Sequence, residues 1–201
     1  MPESSNKVRV GVVGVGSIAT YMHLPALSAI ENAAIVALCD PNEYLLARSG
    51  EKYGVVSLHV DYKEMLGRIS LDAVILCLPP MFHVEAARFF LSNGIHVLCE
   101  KPVGLDDEQA REVLALARDK SLVLHAGYHN RFLKTFSRAR SLFQSGSVGR
   151  FLQFNLSATL GGPNLSWEPK SGWYHSREAG GVTFDAGSHM FDLLHYVTGE
   201  E

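Results

Sequence analysis

Gly14-Val15-Gly16-Ser17-Ile18-Ala19 follows an apolar, β-branched run beginning at Val8 and leads into a helix-like stretch. Two glycines and a small residue at that spacing suit a dinucleotide. Gly14 permits a tight turn, Gly16 lets a pyrophosphate approach the backbone, and Ala19 keeps the helix close to its strand. The helix start at Ser17 and Ile18 offers unpaired amides to phosphates. The same glycines also suit a strand-to-helix turn that needs them only for its dihedrals. Asp40 closes the next apolar run, about twenty residues beyond the fingerprint, where a carboxylate would accept hydrogen bonds from ribose hydroxyls. Asp40-Pro41-Asn42-Glu43 reads equally as a helix start, with Asp40 as N-cap and Pro41 in the first position. The Asp40 carboxylate would repel a 2′-phosphate, and no Arg or Lys follows until Arg48, so the pattern favours NAD over NADP.

A second constellation lies near the end of the sequence. On a helix over Asp185–Val197, Asp185, His189, Asp192 and Tyr196 share one face, while Met190, Leu193, Leu194 and Val197 cover the other. Such a face is either solvated or equipped for proton transfer. An Asp-His-Asp set could also take a metal, but further ligands are not evident and no metal site is expected. Between the two constellations, Pro79 and His83 stand just past an apolar strand, where a doubly wound sheet holds ligands; a capping or packing role suits His83 as well. Tyr128 and Arg131 in Gly127–Phe132, and Trp173 and Arg177 in the long Gly161–Gly181 segment, are candidate substrate contacts set against plain loop packing.

The intervening sequence supplies the elements that must position these residues. Apolar runs at Ala33–Cys39, Val55–Val60, Asp72–Leu78, Ile95–Cys99 and Leu122–Ala126 read as strands. Helical stretches at Tyr21–Ile30, Tyr44–Tyr53, Asp61–Arg68, Phe82–Leu91 and Asp106–Asp119 alternate with them. The near-continuous apolar strand ending at Leu78 is of the kind buried on both faces of a parallel sheet. The pattern predicts an α/β fold with a doubly wound parallel sheet. After a helix over Phe136–Phe143 the texture changes, with Phe151–Thr159 alternating as a half-buried strand does. A boundary therefore falls at residues 126/127, separating a dinucleotide-binding domain (1–126) from a second domain (127–201).

Composition excludes several classes. The 201 residues are 47% hydrophobic and 19% charged, with a formal charge of −3. No basic field invites nucleic acid or an anionic membrane. Cys39, Cys77 and Cys99 lie far apart in strand-like runs without zinc spacing, as buried thiols in a reducing compartment would. The first seven residues lack the apolar core of a signal peptide, and nowhere do roughly eighteen apolar residues run together. A soluble, cytoplasmic protein with small-molecule partners is expected.

Taken together, Gly14–Ala19, the Tyr21-Met22-His23-Leu24-Pro25-Ala26-Leu27 run, Glu100-Lys101-Pro102, Gly127–Phe132, and Gly180-Gly181 followed by Asp185-x-x-x-His189-x-x-Asp192 resemble the Gfo/Idh/MocA oxidoreductases. The resemblance implies a Rossmann domain followed by an α/β domain built on an open, largely antiparallel sheet. It implies hydride transfer between NAD(P) and a secondary alcohol of a sugar, cyclitol or related polyol. It also implies that Lys101 lies between nicotinamide and substrate beside Glu100, with the Lys101-Pro102 peptide often cis. His189 becomes the acid/base, and Asp185 orients it or binds substrate. The chemistry agrees, since a hydroxyl loses its hydride readily only as its proton leaves, which an imidazole accepts while an ammonium stabilises the alkoxide. Members of that family run substantially past residue 201, where later strands complete the second sheet. The expectation is accordingly a chain that folds and binds NAD but catalyses poorly or not at all, with its unpaired strand and uncovered helix face favouring a homo-oligomer or high mobility after residue 150. A dinucleotide-binding sensor without a substrate pocket is the competing reading.

Overall fold

The computed structural model describes residues 7–150, 152–157 and 183–199. By internal contacts the chain divides into two compact units, Met1–Ala126 and Gly127–Glu201. In the first, six strands form one parallel sheet: β1 Val8–Val13, β2 Ala33–Cys39, β3 Leu58–His59, β4 Ala73–Leu76, β5 His96–Cys99 and β6 Leu124–Ala126. Their order is β3-β2-β1-β4-β5-β6. The chain winds outward from β1 through β3, then crosses back to β4, so a crevice opens at the carboxyl ends of β1 and β4.

The period-2 geometry of the strands explains why the apolar runs are nearly unbroken. Val12, Leu38 and Ile75 point to one side, where they pack with Leu24 and Leu27 of α1 (Leu24–Ser28) and Leu46 of α2 (Glu43–Tyr53). Val13, Ala37, Val74, Leu76 and Val97 point to the other. There they meet Ala86 and Phe90 of α3 (His83–Ser92) and Val113 and Ala117 of α4 (Asp107–Asp119). A strand covered on both faces has no polar face to show.

Local chemistry sets the helix ends. Asp106 caps α4 by accepting the Gln109 N–H at 2.8 Å. The helix after the glycine loop widens into a π turn over Ala19–His23, in which the Leu24 N–H reaches the Ala19 carbonyl. Pro25 gives the reason, because it has no N–H and in a regular α-helix its ring would press on the residue-21 carbonyl.

Several expectations need correction. β3 pairs only over Leu58–His59, not over residues 55–60. Residues 61–68 form no α-helix; Asp61 accepts the Lys63 N–H and starts a 3-10 turn at Tyr62–Met65. Asn42, not Asp40, caps α2, accepting the Leu45 N–H at 3.1 Å.

The second unit contains a 3-10 turn at His129–Phe132, α5 at Lys134–Gln144, a π turn at Thr183–Gly187 and α6 at Ser188–Thr198. The strand expected over 151–159 is not seen at residues 152–157, which join no ladder. A strand persists only with a partner to take its backbone groups, and the described residues of this unit supply none. The open antiparallel sheet that the resemblance implies is likewise not seen among the described residues.

At the far end of the crevice strands, Arg9 on β1 grips Asp72 just before β4. Its side chain donates from Nε at 3.0 Å and Nη2 at 2.6 Å, and its backbone N–H at 2.8 Å. These bonds hold the Asp72 carboxyl below the usual range, at about 2. A carboxyl depressed in the folded state contributes stability that is present above its ordinary value near 3.8 and lost as pH falls toward 2. The pair is about two-fifths exposed, so screening keeps the effect modest. Denaturant melts of Asp72→Asn are expected to show lower stability at pH 7 and a shallower loss between pH 4 and pH 2 than the parent protein.

Candidate functional site

The glycine loop sits where the strand order reverses. Gly14 has a positive φ of 87°, and a Cβ built on it would stand 2.4 Å from the Cys77 carbonyl oxygen. Glycine is required there twice over, by dihedral and by space. Gly16 differs, because a Cβ there meets nothing within 4 Å. The room in front of Gly16 suits a pyrophosphate, with the helix beginning at residue 17 behind it. Asp40 closes the loop from the neighbouring strand: Oδ2 accepts the Val15 N–H at 2.8 Å and Oδ1 the Asn42 N–H at 2.8 Å. A carboxylate has about four acceptor positions, so two stay available for a ribose diol.

Lys101 follows β5 directly and is half-buried, and the Lys101-Pro102 peptide is cis. Glu100 before it is only 6% exposed. Burial alone would raise its carboxyl, but the His23 bond and charge and the Lys101 N–H hold it below its ordinary value. Pro79 lies at the start of the turn leading to α3.

His83 is not where a cofactor contact needs it. The ring is 1% exposed, with Nδ1 2.7 Å from the Pro102 carbonyl and Nε2 2.8 Å from the Leu78 carbonyl. Its burial pushes the pKa down, against the pull of both carbonyls. A 3-10 turn at Pro80–Phe82 leads into α3, whose first residue, His83, is enclosed.

In the second unit, His189 on α6 stands edge-on to Tyr128 and His129, with ring centroids 5.8 and 5.1 Å apart. Asp185 lies on the π turn before α6. Arg131, expected as a substrate contact, is partly exposed and pairs with a carboxylate. Its guanidinium forks onto Asp192, with Nε at 2.9 Å from Oδ2, and lies 5.5 Å from the Tyr196 ring. Asp192 is buried, at 7% exposure, and ion-paired on this face of α6. Burial, aided by the Asp192 charge, pushes the Tyr128 phenol up. Trp173 and Arg177 lie outside the described residues. Among the described residues no group of three or more His, Cys, Asp or Glu could hold a metal ion.

Two residues were missed by sequence reasoning. His23 has no local signal, since its partner Glu100 is 77 positions away. His129 was passed over between Tyr128 and Arg131, although its Nδ1 is buried without a hydrogen-bond partner among the described residues.

Comparison with known proteins agrees with this geometry. Residues 8–128 match the oxidoreductase family model described as an NAD-binding Rossmann fold, and residues 136–201 match the GFO/IDH/MocA C-terminal domain. The chain belongs to the Gfo/Idh/MocA oxidoreductase family. A D-glucoside 3-dehydrogenase of Escherichia coli K12 is 32% identical over 98% of this chain and 55% of its own length. A myo-inositol 2-dehydrogenase of Thermotoga maritima is 28% identical over 96% of this chain and 56% of its own. The crystal structure of the WlbA dehydrogenase from Chromobacterium violaceum with NADH and UDP-GlcNAcA superposes with a TM-score of 0.88. It is 27% identical and covers 98% of this chain and 56% of that one. The chain thus spans little more than half the length of these family relatives.

The two glycines predict opposite outcomes. Gly14→Ala forces a Cβ onto the Cys77 carbonyl at a positive φ, so a lower melting temperature and weaker NAD binding are expected together. Gly16→Ala should melt with the parent protein yet bind NAD at least tenfold more weakly, about 1.4 kcal/mol, since only the ligand meets the new methyl. Thermal melts and NAD titrations of both variants check this.

Proposed function

We propose that the protein is, or forms the N-terminal part of, an NAD-dependent oxidoreductase acting on a secondary alcohol of a sugar, cyclitol or related polyol. The observation that carries the reading is the crevice at the sheet's switch point, where the open space at Gly16, the Asp40 carboxylate and Lys101 after β5 all lie at strand carboxyl ends. Membership of the family and the sugar and inositol dehydrogenases among its relatives support it. Bound there, NAD supplies the hydride acceptor. Gly16 and the amides of Ser17 and Ile18 hold the pyrophosphate, Asp40 receives the ribose hydroxyls, and Pro79 flanks the nicotinamide side.

Lys101 stabilises the negative charge that builds on the substrate oxygen, and His189 takes the hydroxyl proton. Asp185 orients His189 or binds the substrate, and Tyr128 contributes to the substrate pocket. The reading includes self-association into a homo-oligomer, which light scattering tests. No described helix is long and apolar enough to cross a membrane, which fits a cytoplasmic enzyme.

Asp40 sets the cofactor preference. Fluorescence titration should give tighter binding of NAD than of NADP, with Asp40→Ser narrowing the gap; equal binding by the parent protein would refute the assignment.

Turnover is tested with myo-inositol and with a D-glucoside. Lys101→Ala and His189→Ala are each expected to lower kcat by roughly 100- to 10,000-fold while NAD affinity stays near that of the parent. A His189→Ala enzyme with unchanged kcat would remove the acid/base role, and NAD binding without any turnover would favour the sensor.

A further inference from the structure

Lys101 is flanked by two histidines from different parts of the first unit, His23 half-buried and His83 fully buried. On its N-terminal side, Glu100 Oε1 lies 2.7 Å from His23 Nε2, and Oε2 accepts the Lys101 backbone N–H at 3.2 Å. On its C-terminal side, the Pro102 carbonyl lies 2.7 Å from His83 Nδ1, and His83 Nε2 lies 2.8 Å from the carbonyl of Leu78, two residues past β4. The main chain at residue 101 is thereby tied on one side to the helix after the glycine loop, and on the other to the exit of β4.

We propose that His23 and His83 are positioning residues that fix the Lys101 backbone, His23 through the Glu100 carboxylate and His83 by seating its ring between the Pro102 and Leu78 carbonyls and donating its single N–H to one of them. The proposal rests on the reading of Lys101 as the group that meets the substrate oxygen.

Three considerations carry it. Burying the Glu100 carboxylate and the His83 imidazole is costly unless each finds partners, and apolar side chains of similar volume would stabilise the same space more cheaply. The partners found here all lie within one residue of Lys101 or at a fixed strand end. Finally, a lysine at the end of a strand has a long stem, so its ammonium is placed only as well as its own backbone. A misplacement of about 1 Å in a reacting group can cost on the order of 100-fold in rate. The His83 ring is fully enclosed, and His23 Nε2 is taken up by Glu100.

The test uses His83→Phe and His23→Phe, which keep a planar ring but lose both nitrogens, with His83→Gln and His23→Gln as conservative partners that restore one donor. Hydrogen exchange is followed at the Lys101 amide and, as internal controls, at Val74 and Val97 in the sheet core. The Phe variants are expected to exchange at Lys101 at least tenfold faster with the controls unchanged, and the Gln variants to recover part of that protection. Where myo-inositol or a D-glucoside is turned over, kcat should fall roughly 10- to 100-fold with KM and NAD affinity within about threefold of the parent. Unchanged exchange at Lys101 in both Phe variants would overturn the proposal. So would acceleration at Val74 and Val97 to the same degree, which marks a purely structural role. If instead Lys101→Ala turns over normally while the exchange pattern holds, the role assigned to Lys101 falls and the bracing of its backbone stands.

Discussion

Everything at the ligand edge of the sheet depends on how closely Gly14 lies against the end of β4. Backbone bonds on both sides close the approach: the Gly14 N–H donates to the Cys39 carbonyl at 2.7 Å, and the Cys77 N–H to the Val13 carbonyl at 2.7 Å. The ends of β2, β1 and β4 are knitted at one point, and the next amide, Val15, is taken by Asp40. A side chain at position 14 would push β1 off β4 and carry the start of the following helix with it. Placing a helix N-terminus over the crevice is therefore a consequence of the tight sheet, and the cofactor site inherits its precision from a packing constraint.

How much of this the sequence shows follows from the range of the interactions involved. The strands of the first unit were legible because burial on both faces leaves continuous apolar runs, and α4 because its cap, Asp106, lies three residues from its acceptor's partner, Gln109. β3 was overread because two residues pair where six are apolar or neutral enough to pair. Asp40 carried two local meanings, helix cap and ribose ligand. The partner it actually takes in the loop, Val15, is 25 residues away and invisible to any local pattern. His83 shows the limit most clearly. Its position past a strand end was read correctly, but that position does not decide whether such a ring faces ligand or core, and here it is enclosed.

The second unit teaches the same lesson about charge. A helical wheel places Asp192 with Asp185 and His189 on a polar face, and a polar face is ordinarily solvated. The wheel cannot include Arg131, 61 residues earlier, whose planar fork matches the carboxylate and converts an apparently exposed acid into a buried one. Arg140 of α5 continues the arrangement, donating to the Tyr196 carbonyl at 2.7 Å with its guanidinium 4.6 Å from the Tyr196 ring. The seam between α5 and α6 thus includes a cation on an aromatic ring.

In each unit, a residue read as chemical stands close to a buried carboxylate that an earlier element neutralises: Lys101 beside Glu100 with His23, and His189 three positions before Asp192 with Arg131. On a helix, three residues is one turn on the same face, so fixing Asp192 fixes the direction of that face, and His189 is carried with it. At the strand end the coupling is tighter still, through one peptide unit. A buried carboxylate with a dedicated cation or imidazole resists rotation far more than an apolar contact of equal area, because breaking it leaves a charge without a partner in a low-dielectric setting. The two carboxylates therefore act on the candidate chemistry indirectly. They need not touch a substrate to matter, since they remove the rotational freedom of the backbone from which the reacting side chains project.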